Sequence, residues 1–470
     1  PKLVQGRASY TDDVALQRMA HAAFLRSPHA HARILSIDTA AARQVPGVLR
    51  VFTGADLAKV CDPWVATLDH LKGMKSAPQY PLPLERATWQ GEPVVAVVAD
   101  SRAAAEDGVA ALAVEWDPLP AQLDMETALD AGTVVIHPEL GDNLVFTRTA
   151  EKGDVAAAMT AAHKVVEATF VTGRHTGVTL EPRSIIADWN PAEGTLTVHH
   201  STQAPHMMQG VFAKQLRIEE GSVRVICKDV GGSFGIKVHV YPDEVAVAAM
   251  SKIMGRPVKF VADRFESFVS DIHARDHRIT GRIAVDAEGK ILAFDIDDRT
   301  GIGPYSVYPR TSAIEGNQVV NLCGGPYDFA HYRCTTTVVL QNKVPTCQYR
   351  AVGHPIATAV TEGLVDLAAE ALGMDPVELR RRNLIRDDAY PYTSPPGMRF
   401  EGLSHHAALD KLLAMVPVER IRADQAEARA RGVYRGLGFA SFIELTNPSP
   451  FMYGIGGARI SAQDGATVRM

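Results

Sequence analysis

The sequence predicts an α+β protein that is built from more than one domain. Its 470 residues exceed the usual size of a single domain, and its 46% hydrophobic content is enough for large cores. Segments with the alternation typical of strands are interleaved with segments of helical period. One continuous apolar run, Pro93–Ala99, indicates a strand that is buried on both faces.

Residues 1–120 are predicted to form one compact α+β domain. Thr39 is expected to cap a short helix, the Pro46-Gly47 pair to form a turn, and Ser101 to begin an alanine-rich helix over 102–112. A turn over 116–120 is expected to end the unit. The predicted strands cover 19–25, 33–38, 48–52 and 93–99.

The rest of the chain is predicted to contain a connector and two further regions. Residues 121–145 have no strong periodicity and are taken as the connector, followed by a region over 146–385 and a shorter one over 386–470. Strands are predicted at 164–171, 183–189, 196–200 and 223–226, and helices at 243–253, 357–372, 405–415 and 420–431.

The composition argues against several classes of protein. The net charge is −6 and the longest basic cluster is Arg380 to Arg382, so a nucleic-acid surface is not expected. No apolar run reaches the length of a membrane span, which is about 18 residues. The five cysteines contain no close pair of the kind found in zinc ribbons or ferredoxin clusters, and they fit a reducing compartment. Pro1-Lys2-Leu3 is not a signal sequence, which favours a cytoplasmic protein, although a leader removed before Pro1 would mean periplasmic export.

Three segments are candidates for a functional site. Residues 230–237 form a glycine-rich loop after a strand, and its backbone amides can surround an acceptor group; a plain turn is the alternative. Gln203 ends a strand and can present an amide donor, or it can cap the following helix. Arg350 and His354 precede another helix, where an anion site or a surface ion pair is expected. His273 and His277 have a spacing that suits a metal on a helix, but Arg275 and Asp276 favour an exposed turn.

The order and spacing of these segments resemble the molybdenum hydroxylase family. The family includes xanthine dehydrogenases, aldehyde oxidoreductases, aerobic carbon monoxide dehydrogenases and N-heterocycle hydroxylases. The resemblance covers nearly the whole chain. Besides the three segments it includes residues 6–13, 26–30, 91–94, 255–259, 263–266, 381–385 and 435–438.

The resemblance implies an architecture and a set of site residues. Residues 1–120 would be an α/β hammerhead domain, 146–385 a first mixed α/β molybdenum-cofactor-binding domain, and 386–470 the incomplete start of a second one. Gln203 would approach an oxo ligand of the metal, without direct ligation of the metal by any side chain of the chain. The residues expected to bind the cofactor are Gln203, Gly232, Ser233, Phe234, Gly235, Arg350 and Ala351.

Two departures from the family pattern narrow the range of expected substrates. Val238 stands where purine-hydroxylating relatives carry a glutamate, which makes xanthine an unexpected substrate. Ala351 stands where carbon monoxide dehydrogenases carry a copper-binding cysteine. The resemblance therefore implies an aldehyde or an aromatic N-heterocycle, with Val238, Val352 and His354 as candidates for the substrate pocket.

The resemblance also implies partners. The family keeps its glutamate base in the second cofactor domain, so no catalytic residue is assigned in this chain, which ends at 466–470, expected to be within a strand of that domain. The base would come from a separate subunit or from a continuation of the same chain. The cofactor would be molybdenum with molybdopterin in its cytosine dinucleotide form, with a 2Fe–2S iron–sulfur subunit and a FAD subunit as electron acceptors. The alternatives are a half-subunit that only scaffolds or delivers cofactor, and an aromatic thioester reductase of the same family.

Overall fold

The structure is a computed structural model, and it describes residues 1–444. The expected strand at 466–470 lies outside the described residues. The strands are β1 (Ala20–Arg26), β2 (Ala32–Asp38), β3 (Val48–Phe52), β4 (Arg86–Ala87), β5 (Pro93–Ala99), β6 (Ala113–Pro118), β7 (Leu144–Lys152), β8 (Lys164–Thr172), β9 (Ser184–Asn190), β10 (Thr195–His200), β11 (Val223–Ile226), β12 (Val258–Val261), β13 (His277–Val285), β14 (Ile291–Ile302), β15 (His331–Leu340), β16 (Tyr392–Thr393) and β17 (Arg399–Phe400). The helices are α1 (Gly54–Leu57), α2 (Arg102–Ala110), α3 (Val155–Ala161), α4 (Pro205–Leu216), α5 (Pro242–Met254), α6 (Arg264–Ser270), α7 (Ile314–Leu322), α8 (His354–Leu372), α9 (Pro376–Asn383), α10 (His405–Met415) and α11 (Val418–Ala430).

A seven-stranded sheet runs through both the first and the second predicted region. Its order is β11-β10-β9-β12-β1-β5-β3, and β1 pairs in parallel with β12 where Ala20 lies opposite Val258. Strand β5 lies between β1 and β3 and is buried at all seven positions, as its continuous apolar sequence predicts. Helices α4 and α5 cover this sheet, and Phe24 meets Phe260 edge to face in the shared core. The predicted domains at 1–120 and 146–385 are therefore joined by strand pairing.

A second sheet has the order β7-β15-β14-β13-β8 and packs against α7, α8 and α9. Helix α8 begins after Gly353 and ends at Gly373, and its inner face is apolar. The carboxyl-terminal ends of β10 and β11 and the amino-terminal end of α8 carry the three predicted site segments. A smaller sheet, β4-β2-β6, completes the first 120 residues.

Of the local predictions for the first region, the Ser101 cap is confirmed, whereas the Thr39 cap and the turn over 116–120 are wrong. The Ser101 hydroxyl accepts from the Ala104 amide at 3.3 Å and caps α2 as predicted. Thr39 caps no helix, because Asp38 binds the Ala40 amide at 2.8 Å and only a 3-10 turn follows. Residues 116–118 are not a turn but part of β6, where Trp116 pairs with Ile34.

The predicted connector is irregular but well anchored. Asn143 is fully buried, and its side chain binds the Ile136 amide at 3.0 Å and the Val134 carbonyl at 2.7 Å. All five cysteines are free, and four of them are buried. None of the helices within residues 1–444 is both long enough and apolar enough to cross a membrane.

Candidate functional site

The glycine-rich loop connects β11 to a 3-10 turn before α5 and has an unusual backbone. Gly232 and Gly235 have φ values of 98° and 100°, and Phe234 has a φ of 54°. A Cβ atom on Gly235 would lie 3.1 Å from the Gln348 carbonyl oxygen, so only glycine allows this approach without displacement. The loop is thus pressed directly against the segment that contains Arg350.

Gln203 lies just beyond β10 and faces this loop. Its Oε1 atom accepts from the Gly235 amide at 3.0 Å and from the Ser233 hydroxyl. Because a backbone N–H can only donate, these bonds determine which side-chain atom is the oxygen. Gln203 is exposed, and its Nε2 group is left as a donor because the bonds to the loop use only Oε1. Gln203 does not cap α4, whose first residue is Pro205.

The third segment meets the glycine loop from the amino-terminal end of α8. The Arg350 amide donates to the Phe234 carbonyl at 2.9 Å, and the Arg350 guanidinium carbon lies 5.9 Å from the centre of the Phe234 ring. Ala351 and Val352 have φ values of 67° and 32°, which are costly for residues with side chains. Such strain persists only where neighbouring contacts impose it, and it is frequent at functional sites.

The Arg275 side chain anchors the strained segment at residues 350–352. Its guanidinium donates to the Arg350 carbonyl and pairs with Glu315, while its own amide binds Glu315 at 2.9 Å. The prediction of an exposed turn at 275–276 is wrong, since both side chains are buried. His273 and His277 do not share a helix either, because His277 begins β13 and its side chain binds Asp298 at 2.8 Å.

His354 is the first residue of α8 and is buried rather than solvated. Its Nδ1 atom lies 2.5 Å from the Ala351 carbonyl oxygen, which can only accept, so Nδ1 donates this hydrogen bond. Val352 lies in the strained run, and Val238 lies on the turn after the glycine loop; both are half-buried. No hydrogen bond joins His354 to the glycine loop within the described part of the chain.

A buried ion pair at the base of the loop was not singled out from the sequence. Lys237 Nζ lies 2.7 Å from Glu181 Oε2, and the Lys237 side chain is fully buried. Burial lowers the pKa of Lys237, and the bond to Glu181 opposes that shift. The only local signal is a lysine between the apolar residues Ile236 and Val238, because Glu181 is 56 residues away.

A larger charged cluster supports the same region. Arg183 binds Asp243 at 2.7 Å and Asp271 at 2.6 Å, and its guanidinium carbon lies 3.7 Å from the centre of the Tyr241 ring. The Tyr241 hydroxyl in turn donates to the Ile236 carbonyl at 2.8 Å. The arginine pair with Asp243 holds the pKa of that carboxyl well below its usual range against the opposing effect of burial.

Together these groups bring several hydrogen-bond donors close to one another. The Gly231 and Gly235 amides are already bound to Glu181 and Gln203. The Gln203 side-chain amide and the backbone amides of residues 232–234 suit an oxo, carbonyl or phosphate acceptor, and Arg350 adds positive charge beside them. Residues 1–444 contain no group of three or more His, Cys, Asp or Glu side chains that could hold a metal ion. The three segments predicted from the sequence are thus adjacent in space.

Two family models match the chain. Residues 5–120 match the a/b hammerhead domain of aldehyde oxidase and xanthine dehydrogenase. Residues 136–384 match the molybdopterin cofactor-binding domain.

Similar proteins cover the whole chain. The nicotine 6-hydroxylase large subunit of Paenarthrobacter nicotinovorans is 35% identical over 100% of this chain and 57% of its own length. The carbon monoxide dehydrogenase large chain of Hydrogenophaga pseudoflava is 32% identical over 96% of this chain and 57% of its own length. The crystal structure of quinoline 2-oxidoreductase from Pseudomonas putida 86 superposes with a TM-score of 0.93 at 35% identity, and covers 98% of this chain and 58% of that one. The chain thus spans rather more than half the length of these relatives.

Proposed function

Because the chain belongs to the molybdenum hydroxylase family, we propose that it is the amino-terminal part of a large subunit that oxidises an aromatic N-heterocycle with oxygen from water. Its hammerhead domain would cover 1–120, its first cofactor-binding domain 146–385, and the start of a second one 386–470. The general base would lie outside this chain. Electrons would pass to iron–sulfur and FAD partners.

One observation carries the proposal. Gln203, the glycine loop and the strained segment after Tyr349 lie next to one another, and the loop is hydrogen-bonded to both of the others. These residues fit molybdopterin, because a pterin and an oxo-metal centre present acceptors to which amide groups donate. When bound, the cofactor supplies two-electron redox chemistry and Lewis acidity. The cytosine dinucleotide form is part of the proposal.

The chain's own residues would bind the cofactor and orient the substrate. Gln203 would donate from Nε2 to an oxo or hydroxyl acceptor, and the loop amides would fix the site's polar edge. Phe234 is 49% exposed, so its ring would exclude water and support a flat substrate. Preorganised donors of this kind need no rearrangement during the reaction.

The substrate class follows from two positions and two relatives. Val238 removes a purine-binding carboxylate and Ala351 removes a copper-binding thiol. Two similar proteins are named for nicotine and quinoline, which both contain a nitrogen heterocycle. An aromatic N-heterocycle is therefore proposed ahead of an aldehyde.

The test uses the complete complex, purified with its partner subunits. We expect molybdenum in elemental analysis, a pterin after oxidation, and a cytidine nucleotide after hydrolysis. We expect hydroxylation of quinoline or a pyridine with incorporation of labelled oxygen from water. A complex without molybdenum would refute the proposal. Molybdenum without turnover would favour a scaffold, turnover of aldehydes alone would correct the substrate class, and reduction of an aromatic thioester would favour the reductase.

Gln203→Ala should reduce kcat by about 100-fold to 1,000-fold, the usual cost of losing one preorganised donor. The matched control is Gln209→Ala on α4, where the side chain binds the Glu220 and Val223 carbonyls away from the loop. We expect this control to keep its kcat. Equal kcat values for the two variants, at equal molybdenum content, would contradict the role of Gln203.

A further inference from the structure

One carboxylate oxygen of Glu181 connects that residue to Ser201 and to both ends of the glycine loop. Glu181 Oε2 accepts from the Gly231 amide at 2.7 Å, from the Ser201 hydroxyl at 2.8 Å and from Lys237 Nζ at 2.7 Å. The Glu181 amide also donates to the Gly231 carbonyl at 3.1 Å. The first glycine of the loop is therefore held from both sides by a single residue.

Lys237 extends the same connection to Gln203. The backbone carbonyl of Lys237 accepts from the backbone amide of Gln203 at 2.9 Å and from the Thr202 hydroxyl at 3.0 Å. Its own amide donates at 3.0 Å to the Ser233 hydroxyl, which itself donates to Gln203 Oε1. Both the backbone and the side chain of Gln203 thus depend on where Lys237 lies.

We infer that Glu181 and Lys237 form a buried ion pair that positions the Gln203 amide toward the cofactor; this inference rests on the proposed function. Neither residue is proposed to touch substrate or cofactor. A buried ion pair gives little net stability compared with apolar residues of the same size, whereas it enforces a defined geometry. The two charges lie where the segment of Glu181, residues 201–203 and the glycine loop meet.

The matched variants are Lys237→Met, Glu181→Gln and Lys259→Met. Met replaces the lysine stem without its charge, and Gln keeps an acceptor for Gly231 and Ser201 while it removes the charge. Lys259, on strand β12, is the control. Its ammonium group is also mostly buried, and it pairs with Asp12 at 2.7 Å. All variants are made in the assembled complex with its cofactor.

Two readouts are needed besides activity. Hydrogen exchange of residues 230–238 reports the Gly235 amide that binds Gln203, and we expect exchange about 10-fold faster in Lys237→Met, because that bond then opens more often. Electron paramagnetic resonance of the partly reduced metal should show shifted signals, and kcat should fall by about 10-fold to 100-fold with a smaller change in KM. Glu181→Gln should change the same quantities in the same direction but less. Lys259→Met should lower thermal stability without any of these changes.

The outcomes separate this inference from the proposed function. Unchanged exchange and an unchanged resonance signal in Lys237→Met would overturn the positioning role, even if stability falls. The same changes in Lys259→Met would also overturn it, because they would then reflect general destabilisation. If the wild-type complex contains no molybdenum, the proposed function fails, while hydrogen exchange still decides whether the pair holds Gln203.

Discussion

Arg183→Met should destabilise the fold strongly, because it leaves buried carboxylates without their main cation. Arg183 is fully buried and donates to Asp243, Glu244 and Asp271. After the substitution Asp243 keeps Arg26 at 2.9 Å, but Asp271 loses its only ion pair within the described residues. Met preserves much of the volume, so the change isolates the loss of charge.

The expected loss is about 3–5 kcal/mol in the free energy of unfolding, which is the usual cost of removing one partner of a buried ion pair. Unfolding entropy near the midpoint is about 2.1 cal/mol/K per residue, or about 1 kcal/mol/K for a chain of 470 residues that unfolds as one unit. The predicted fall in Tm is therefore about 3–5 °C. Because Tyr241 links this cluster to Ile236, binding of the cofactor should weaken as well.

Differential scanning calorimetry at neutral pH measures the change against Arg33→Met. Arg33 pairs with Asp117 at 2.9 Å between β2 and β6, and the two side chains are 60% and 42% exposed. An exposed pair of this kind contributes less than about 1 kcal/mol. If Arg183→Met and Arg33→Met lower Tm equally, the buried cluster does not stabilise the fold in the way argued.

Two further predictions concern the glycine loop and a buried acid. Gly235→Ala should lower stability more than Gly194→Ala and should also lower the molybdenum content of the complex. Both glycines have a positive φ, but only a Cβ on Gly235 would lie 3.1 Å from backbone atoms. Equal Tm shifts in the two variants would contradict this. Burial raises the pKa of Glu92 to about 8, although bonds from Thr88 oppose the shift. The folded state therefore keeps a proton that the unfolded state loses near its ordinary pKa of 4.5, and stability should fall by up to about 1.4 kcal/mol per pH unit as pH rises toward 8. Calorimetry of Glu92→Gln should show a weaker fall, and an unchanged slope would refute the assignment to Glu92.

Elements with a strong local pattern could be predicted from the sequence, and those with buried polar residues could not. The seven apolar residues of β5 and the serine cap of α2 gave correct elements. Strand β14 was not predicted, because Asp295 and Asp298 interrupt its apolar pattern. In the structure Asp298 is fully buried and accepts hydrogen bonds from the hydroxyls of Thr300, two residues away, and of Thr336, 38 residues away. Its burial therefore depends in part on a partner that no local window contains.

The candidate site has the same division between local and distant information. Gln203, Phe234 and Arg350 could be proposed because each lies at the end of an element, in a motif that the family resemblance makes specific. The residues that hold them in place could not, because Lys237 finds Glu181 across 56 positions and Arg275 finds the Arg350 carbonyl across 75.

A site made mainly of backbone donors explains why this division is sharp. Backbone amides have no residue type of their own, so only glycines and positive φ values mark where they converge. The precision of such a site must then come from side chains behind it, whose charges are compensated within the protein and give no local pattern. We therefore expect substitutions behind the loop, at Glu181, Lys237 or Arg275, to alter the site as much as substitutions on the loop itself, while exposed ion pairs such as that of Arg33 leave it unchanged.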